Sequence, residues 1–358
     1  MPLKIAYQPF GRECKHPADL RRFIPWVESM QYEWEEKNSI IGTEDFDIFL
    51  FPANSNLNEI RKFMELKPKK IMQIVDGYLG ADEGFIKRKL KGFVKYISGE
   101  ISYPVLNYTK VLKRTIKIVD LLICASPEQQ EYLEKYAKKT FVIPDNHAFL
   151  KEKRLNYVKS EKLEMVWEGM GVSLGHIKSL APVFEELQEY GIKWKLTVLS
   201  DIEFYKFANR FIKKRASKEL LWLSRKYPEC IEIRQWSESS LIEVSKFIDV
   251  ALIPITKGDH LAELKHECKM LIYWQLGIPT IQADIRSYRR IAKKAGLEVL
   301  CVNNSNEWCR SIVKFKDQSW RNHVVSLQDL YIQKEHTLEK HILRWNQAIR
   351  TLDEPTIS

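Results

Sequence analysis

Between Asp249 and Tyr288 the chain sets cations and hydrogen-bonding side chains at spacings suited to holding an anion. Lys265 and Lys269 stand four apart, so on one helix they share a face, where like charges cost roughly 0.2–0.5 kcal/mol. A diphosphate bound at the helix start would reverse that sign, because the helix dipole and both ammonium groups converge on one anion. Two lysines on a solvated face would show the same spacing. Lys257 and His260 lie in the polar loop before them, and the loop that closes the segment ends in Arg286, Ser287 and Tyr288. A second candidate is the turn Glu168-Gly169-Met170-Gly171, whose glycines permit close backbone approach to a phosphate. It is not the full dinucleotide fingerprint, since Leu174 stands where a third glycine would be needed, and a tight strand-to-helix turn explains it equally. Asp76, in Asp76-Gly77, offers a carboxylate that could position or deprotonate a hydroxyl, or cap a turn. Phe10 and Gly11 occupy the loop after the first apolar run. No HExxH or similar spacing occurs, so no protein-held metal is expected.

The elements that must carry these residues alternate. Apolar runs at Leu3–Tyr7, Phe46–Phe51, Lys70–Val75, Val119–Ala125 and Thr140–Ile143 predict strands, with amphipathic stretches between them. Ser126-Pro127-Glu128-Gln129 reads as a helix cap, which makes Ser126 a cap rather than a nucleophile. The alternation restarts at Leu163–Glu168, followed by a helix from about His176 to Tyr190. Further strands are predicted at 193–200, 230–234, 250–255, 280–282 and 298–302. The helix expected from about Lys265 to Leu276 stops at Gly277, with Pro279 beyond it. The predicted class is α/β, with two doubly wound, Rossmann-like domains facing a cleft. The expected division is an acceptor-side domain over 1–150, a linker over 151–162 and a nucleotide-binding domain over 163–325. A helical region over 326–358 is expected to pack back toward the first domain.

A chain of 358 residues is long for one core, which favours two domains. Its 45% hydrophobic and 29% charged residues exclude disordered and fibrous classes. A net charge of +10 favours an anionic partner: phosphorylated small molecules, anionic lipid or nucleic acid. Signatures of nucleic-acid-binding modules are missing, so nucleic acid is the least expected. The six cysteines include no CxxC pair, and no apolar run reaches bilayer length, so an intracellular, cytoplasmic protein is expected. Residues 86–97 carry five cations, no acid and one apolar helical stripe, a pattern suited to an anionic membrane surface or to an ordinary surface helix. A second basic stretch, Phe204 to Lys226, has phenylalanines at helical spacing (204, 207, 211) and is expected as an ordinary surface helix.

The segment KHECKMLIYWQLGIPTIQADIRSY resembles the sugar-nucleotide segment of GT-B glycosyltransferases of the group 1 type. Lys269, Tyr273, Gly277 and Pro279 match its pattern, and WEGMG at 167–171 looks like the opening strand and loop of that family's donor domain. The resemblance implies a metal-independent, retaining transfer of a sugar from a nucleotide-diphosphate sugar, with no cofactor. The acceptor would be a glycan, a lipid-linked or a small hydroxyl compound, in cell-envelope polysaccharide or glycoconjugate synthesis. It implies that Lys269, assisted by Lys265, neutralises the donor phosphates. Gly169, Met170, Gly171, Lys257, His260, Tyr273, Ser287 and Tyr288 would touch the donor. Phe10, Gly11, Asp76 and Gly77 would lie on the acceptor side. Ile272 and Leu264 stand where many relatives carry glutamates, which leaves a non-catalytic nucleotide- or glycan-binding protein of the same fold as the alternative.

Overall fold

The computed structural model describes residues 3–75, 104–105, 107–150, 161–206, 212–256 and 264–354. Asp76, Gly77, the basic stretch 86–97, most of the expected linker, Lys257 and His260 lie outside the described residues. The chain divides into two compact units. The first comprises Met1–Asn146, Glu263–His266 and Thr337–Ser358; the second comprises His147–Ala262 and Glu267–His336.

In the first unit, β1 (Lys4–Tyr7), β2 (Glu33–Glu36), β3 (Ile48–Pro52), β4 (Lys69–Ile74), β5 (Leu121–Cys124) and β6 (Thr140–Val142) form one sheet. Its order is β2-β1-β3-β4-β5-β6 and every pairing is parallel. β3 and β5 are buried along their whole length, as continuous apolar runs must be when helices cover both faces of a parallel sheet. β2 was not expected, because Glu-Trp-Glu-Glu is exposed throughout and carries no apolar alternation; backbone pairing joins it to the edge of β1, with Trp34 set edge-on to Tyr7 and Phe23. Ser126 caps the helix Pro127–Leu133, accepting from the Gln129 N–H at 3.2 Å.

The C-terminal helical region is two helices, Gln318–Glu335 and Leu338–Arg350. Thr337 starts the second one by accepting from the Lys340 N–H at 3.3 Å, and the boundary between units falls there rather than at 326. The Leu338–Arg350 helix belongs to the first unit. There Trp345 stacks on Trp26 at 4.7 Å and Asn346 accepts from the Trp26 indole N–H at 2.9 Å.

The second unit holds a sheet of β7 (Leu163–Glu168), β8 (Trp194–Ser200), β11 (Ile231–Gln235), β12 (Val250–Ile253), β13 (Thr280–Ala283) and β14 (Cys301–Val302). Its order is β11-β8-β7-β12-β13-β14, again parallel throughout. A separate antiparallel pair, β9 (Glu203–Lys206) and β10 (Ile212–Arg215), corrects the helix expected over 204–226. Among the described residues of that stretch, Ala216–Glu219 and Leu221–Lys226 are helical. Pairing across β9 and β10 outweighs the helical spacing of the phenylalanines: Glu203 binds Lys213 at 2.5 Å and Arg215 at 3.0 Å, while Phe204 is buried on the other face. The helix expected from His176 begins instead as a 3-10 segment, Gly171–Leu180, and becomes α-helical over Ala181–Glu189, with Pro182 in the first turn.

Candidate functional site

In an open parallel sheet, ligands settle beyond the carboxyl ends of the strands where the order reverses. In the second unit the chain runs outward from β7 through β8 to β11, then returns to the other side of β7 at β12. The reversal therefore lies between β7 and β12. The turn after β7 is Glu168-Gly169-Met170-Gly171, and the helix after β12, Cys268–Gln275, brings Lys269 in its first turn.

Those two elements meet. The Lys269 ammonium donates to the Glu168 carbonyl at 2.6 Å and lies 3.8 Å from the Glu168 carboxylate. It also sits 5.4 Å from the centre of the Trp167 ring, within cation–π range. Glycine at 169 is what makes room: a Cβ there would lie 2.6 Å from Trp167 Cη2 and 2.9 Å from the Lys269 nitrogen. At Gly171 a Cβ would lie 2.2 Å from the Phe204 ring, so the hairpin core closes directly on the turn.

The turn does not present all its amides. The Gly169 N–H is used by the Leu199 carbonyl at 3.1 Å, and the Gly171 N–H by the Asp201 carboxylate at 3.1 Å. The Met170 N–H has no partner among the described residues, and its side chain is 67% exposed. Of the three residues expected to touch a diphosphate, only Met170 has an unspent amide. A further link ties the 3-10 segment after the turn to the chain beyond β12: His176 Nδ1 accepts from the Thr256 N–H at 3.1 Å.

Tyr273 and Tyr288 are both in the core, 1% and 2% exposed. Burial raises each phenol well above its ordinary range, and the Glu168 carboxylate adds to the rise in both. The Tyr273 hydroxyl has no hydrogen-bond partner among the described residues, although it lies one turn along the helix from Lys269. Ser287 is fully buried. The helix Arg286–Lys294 starts without a side-chain cap, and Arg290 within it pairs with the buried Glu267 at 3.0 Å. Glu267 and Arg290 thus join the helix carrying Lys269 to the one carrying Tyr288, a link that spacing along the sequence did not reveal.

Lys265 does not share a helical face with Lys269. The helix starts at Cys268, and Glu267, with non-helical backbone angles, is its N-cap. In the first unit, Phe10 and Gly11 follow β1 as expected, but their N–H groups turn inward to the buried Asp19 carboxylate at 2.9 and 3.3 Å. The Tyr7 hydroxyl binds the same carboxylate. Burial raises the Asp19 carboxyl despite these three donors.

No family model matches the chain, and no curated protein matches it in sequence. Solved structures do match in shape. A complex of S. aureus TarM with fondaparinux, α-GlcNAc-glycerol and UDP gives a TM-score of 0.55 at 10% identity over 87% of this chain. An O-GlcNAc transferase variant from Thermobaculum terrenum gives 0.54 at 10% identity, covering 98% of this chain and 67% of that one. A UDP-forming α,α-trehalose-phosphate synthase from Burkholderia vietnamiensis gives 0.53 at 8% identity, covering 86% and 72%. The chain spans 56% of the length of the TarM structure. At these identities the likeness speaks for architecture: with its two parallel α/β units, the chain has the GT-B fold.

Proposed function

We propose that the chain is a glycosyltransferase that takes its sugar from a nucleoside-diphosphate donor held by the second unit. One observation carries this: an ammonium group on a helix start meets a glycine turn at the point where the sheet order reverses. As the glycosidic bond to the donor breaks, negative charge grows on the departing diphosphate, and a fixed cation with a helix dipole stabilises that charge. Lys269 would leave the Glu168 carbonyl for a phosphate oxygen, the Met170 N–H would meet the diphosphate, and the sugar would pass to a glycan, lipid-linked or small hydroxyl acceptor. Retention at the anomeric carbon and a donor site without a metal rest on the match of Lys269, Tyr273, Gly277 and Pro279 to the group 1 pattern. Work on the cytoplasmic face of a membrane rests on the charge of 86–97. Among the described residues no helix is long and apolar enough to cross a bilayer.

The test is Lys269→Met, which keeps the stem packed on Trp167 and removes the charge. Transfer should fall at least about tenfold, or roughly 1.4 kcal/mol, with the melting temperature unchanged. If calorimetry across the common nucleotide sugars finds no donor bound by the native protein, the proposal fails. A non-catalytic, donor-binding protein is the second reading. It is favoured by Ile272 and Leu264, apolar and buried at 5% and 7% exposure where many group 1 enzymes carry acids. Donor binding without transfer or donor hydrolysis would decide for it.

A further inference from the structure

A cavity of about 520 Å³ opens in the first unit, lined by Arg61, Lys67, Lys69, Lys70 and Lys138 with Glu65 and Asp120. It lies at the amino ends of β4, β5 and β6, since Lys69 begins β4, Asp120 immediately precedes β5 and Lys138 comes just before β6. Parallel sheets bind their usual ligands at the opposite, carboxyl edge. The lining therefore does not belong to the donor site.

Five cations against two carboxylates leave an excess of positive charge around one space. Asp120 is already engaged, accepting from the Lys70 backbone N–H at 2.8 Å. Among the described residues, Arg61, Lys67 and Lys69 make no ion pair, and Lys138 donates only to the Ile118 carbonyl at 3.1 Å.

Lys70 lies at the inner side of this space. Its side chain is only 4% exposed, yet no carboxylate lies within ion-pair distance of its ammonium among the described residues. Two of its three N–H donors go to the carbonyls of Met64, at 2.8 Å, and Leu66. Burial lowers its proton affinity, and the charges of Asp120 and Glu65 offset this only in part. A little-exposed cation whose neighbouring carboxylates, Asp120 and Glu65, stay beyond ion-pair distance is only partly compensated, and a neutral side chain could fill the same space. The third donor and the surrounding guanidinium and ammonium groups supply what one anion with several oxygens would satisfy.

We propose that this cavity is a second anion site, taking a phosphate-bearing group with Lys70 at its buried side and Arg61 and Lys69 as its principal surface contacts. A phosphoryl group on a small soluble molecule and the headgroup of an anionic lipid share that chemistry.

The experiment is hydrogen–deuterium exchange of the full chain with inorganic pyrophosphate in one arm. Phosphatidylserine–phosphatidylcholine vesicles form a second arm, with pure phosphatidylcholine as its control. Occupancy should slow exchange in peptides covering 61–70 and 118–122 at least about threefold, a readout separate from any effect at 167–171. Slowing by pyrophosphate assigns a soluble ligand, and slowing by anionic vesicles alone assigns a lipid headgroup. The double variant Arg61→Gln, Lys69→Gln alters only side chains at the surface and should fold; it should abolish the effect in whichever arm shows it. Lys70→Met should abolish it too. No slowing in either arm, or slowing that survives the double variant, overturns the site.

Discussion

His341 gives the most direct test of how the first unit is held together. Its imidazole is 1% exposed, and Nε2 lies 2.7 Å from the Arg22 carbonyl, which also accepts from the Trp345 indole at 3.0 Å. With Nε2 as the donor to that carbonyl, the neutral ring carries its proton there, and burial is what keeps the second nitrogen unprotonated. Burial, and then the charges of Arg22 and Arg344, hold the group down to about 4, against the pull of the Arg22 carbonyl and the Asp145 charge. In the unfolded chain the same ring takes its proton near 6.5. A depressed histidine favours the fold fully above about pH 6.5, and that advantage drains as the pH falls, until near pH 4 both states are protonated and the loss is complete. The gap between 6.5 and about 4 converts at 1.36 kcal/mol per decade to roughly 3 kcal/mol. His341→Gln keeps an N–H within reach of the Arg22 carbonyl and removes the titration. Urea unfolding of both proteins from about pH 7 to about pH 4 should show the native chain losing roughly 3 kcal/mol more than the variant. Carboxylates elsewhere titrate in both proteins and cancel in the difference. Parallel curves would refute the assignment of a buried, neutral ring.

Gly171→Ala forces a methyl into the Phe204 ring and should cost roughly 1–3 kcal/mol, read as a lower urea midpoint; an unchanged midpoint would mean that the hairpin does not close on the turn. Tyr273→Phe removes a buried hydroxyl without a protein partner, so unliganded stability should change by less than about 1 kcal/mol, in either direction. A fall in donor affinity in the same variant, measured by calorimetry, would place the hydroxyl against the ligand. Arg321→Met takes the guanidinium away from Asp249, 3.6 Å distant with both side chains 2% exposed, and should cost roughly 3–5 kcal/mol in chemical denaturation.

The strands legible in the sequence are those whose residues are apolar for a reason of position. β3, β5 and β12 are buried on both faces, and their runs of Ile, Leu, Phe and Val announce it. β2 is silent because an exposed edge strand needs no apolar alternation: backbone pairing and one aromatic contact through Trp34 are enough to seat it. The pair β9 and β10 was misread because the helical spacing of the phenylalanines said nothing of Glu203, Lys213 and Arg215, whose charges meet across the two strands. At the candidate site the glycine turn and Lys269 were legible because each needs a particular residue type. Lys265 was not, since the helix start depends on the backbone angles of Glu267, which no spacing encodes. Likewise the Glu267–Arg290 pair joins positions 23 residues apart, and only the packing of two helices brings them together.

The ring of Trp345 against Trp26 sets a timetable for biosynthesis. Trp26 leaves the ribosome early, but its partners on the Leu338–Arg350 helix, among them Asn346, lie 320 positions later in the chain. Until they emerge, the nascent first unit carries an uncovered indole beside its sheet.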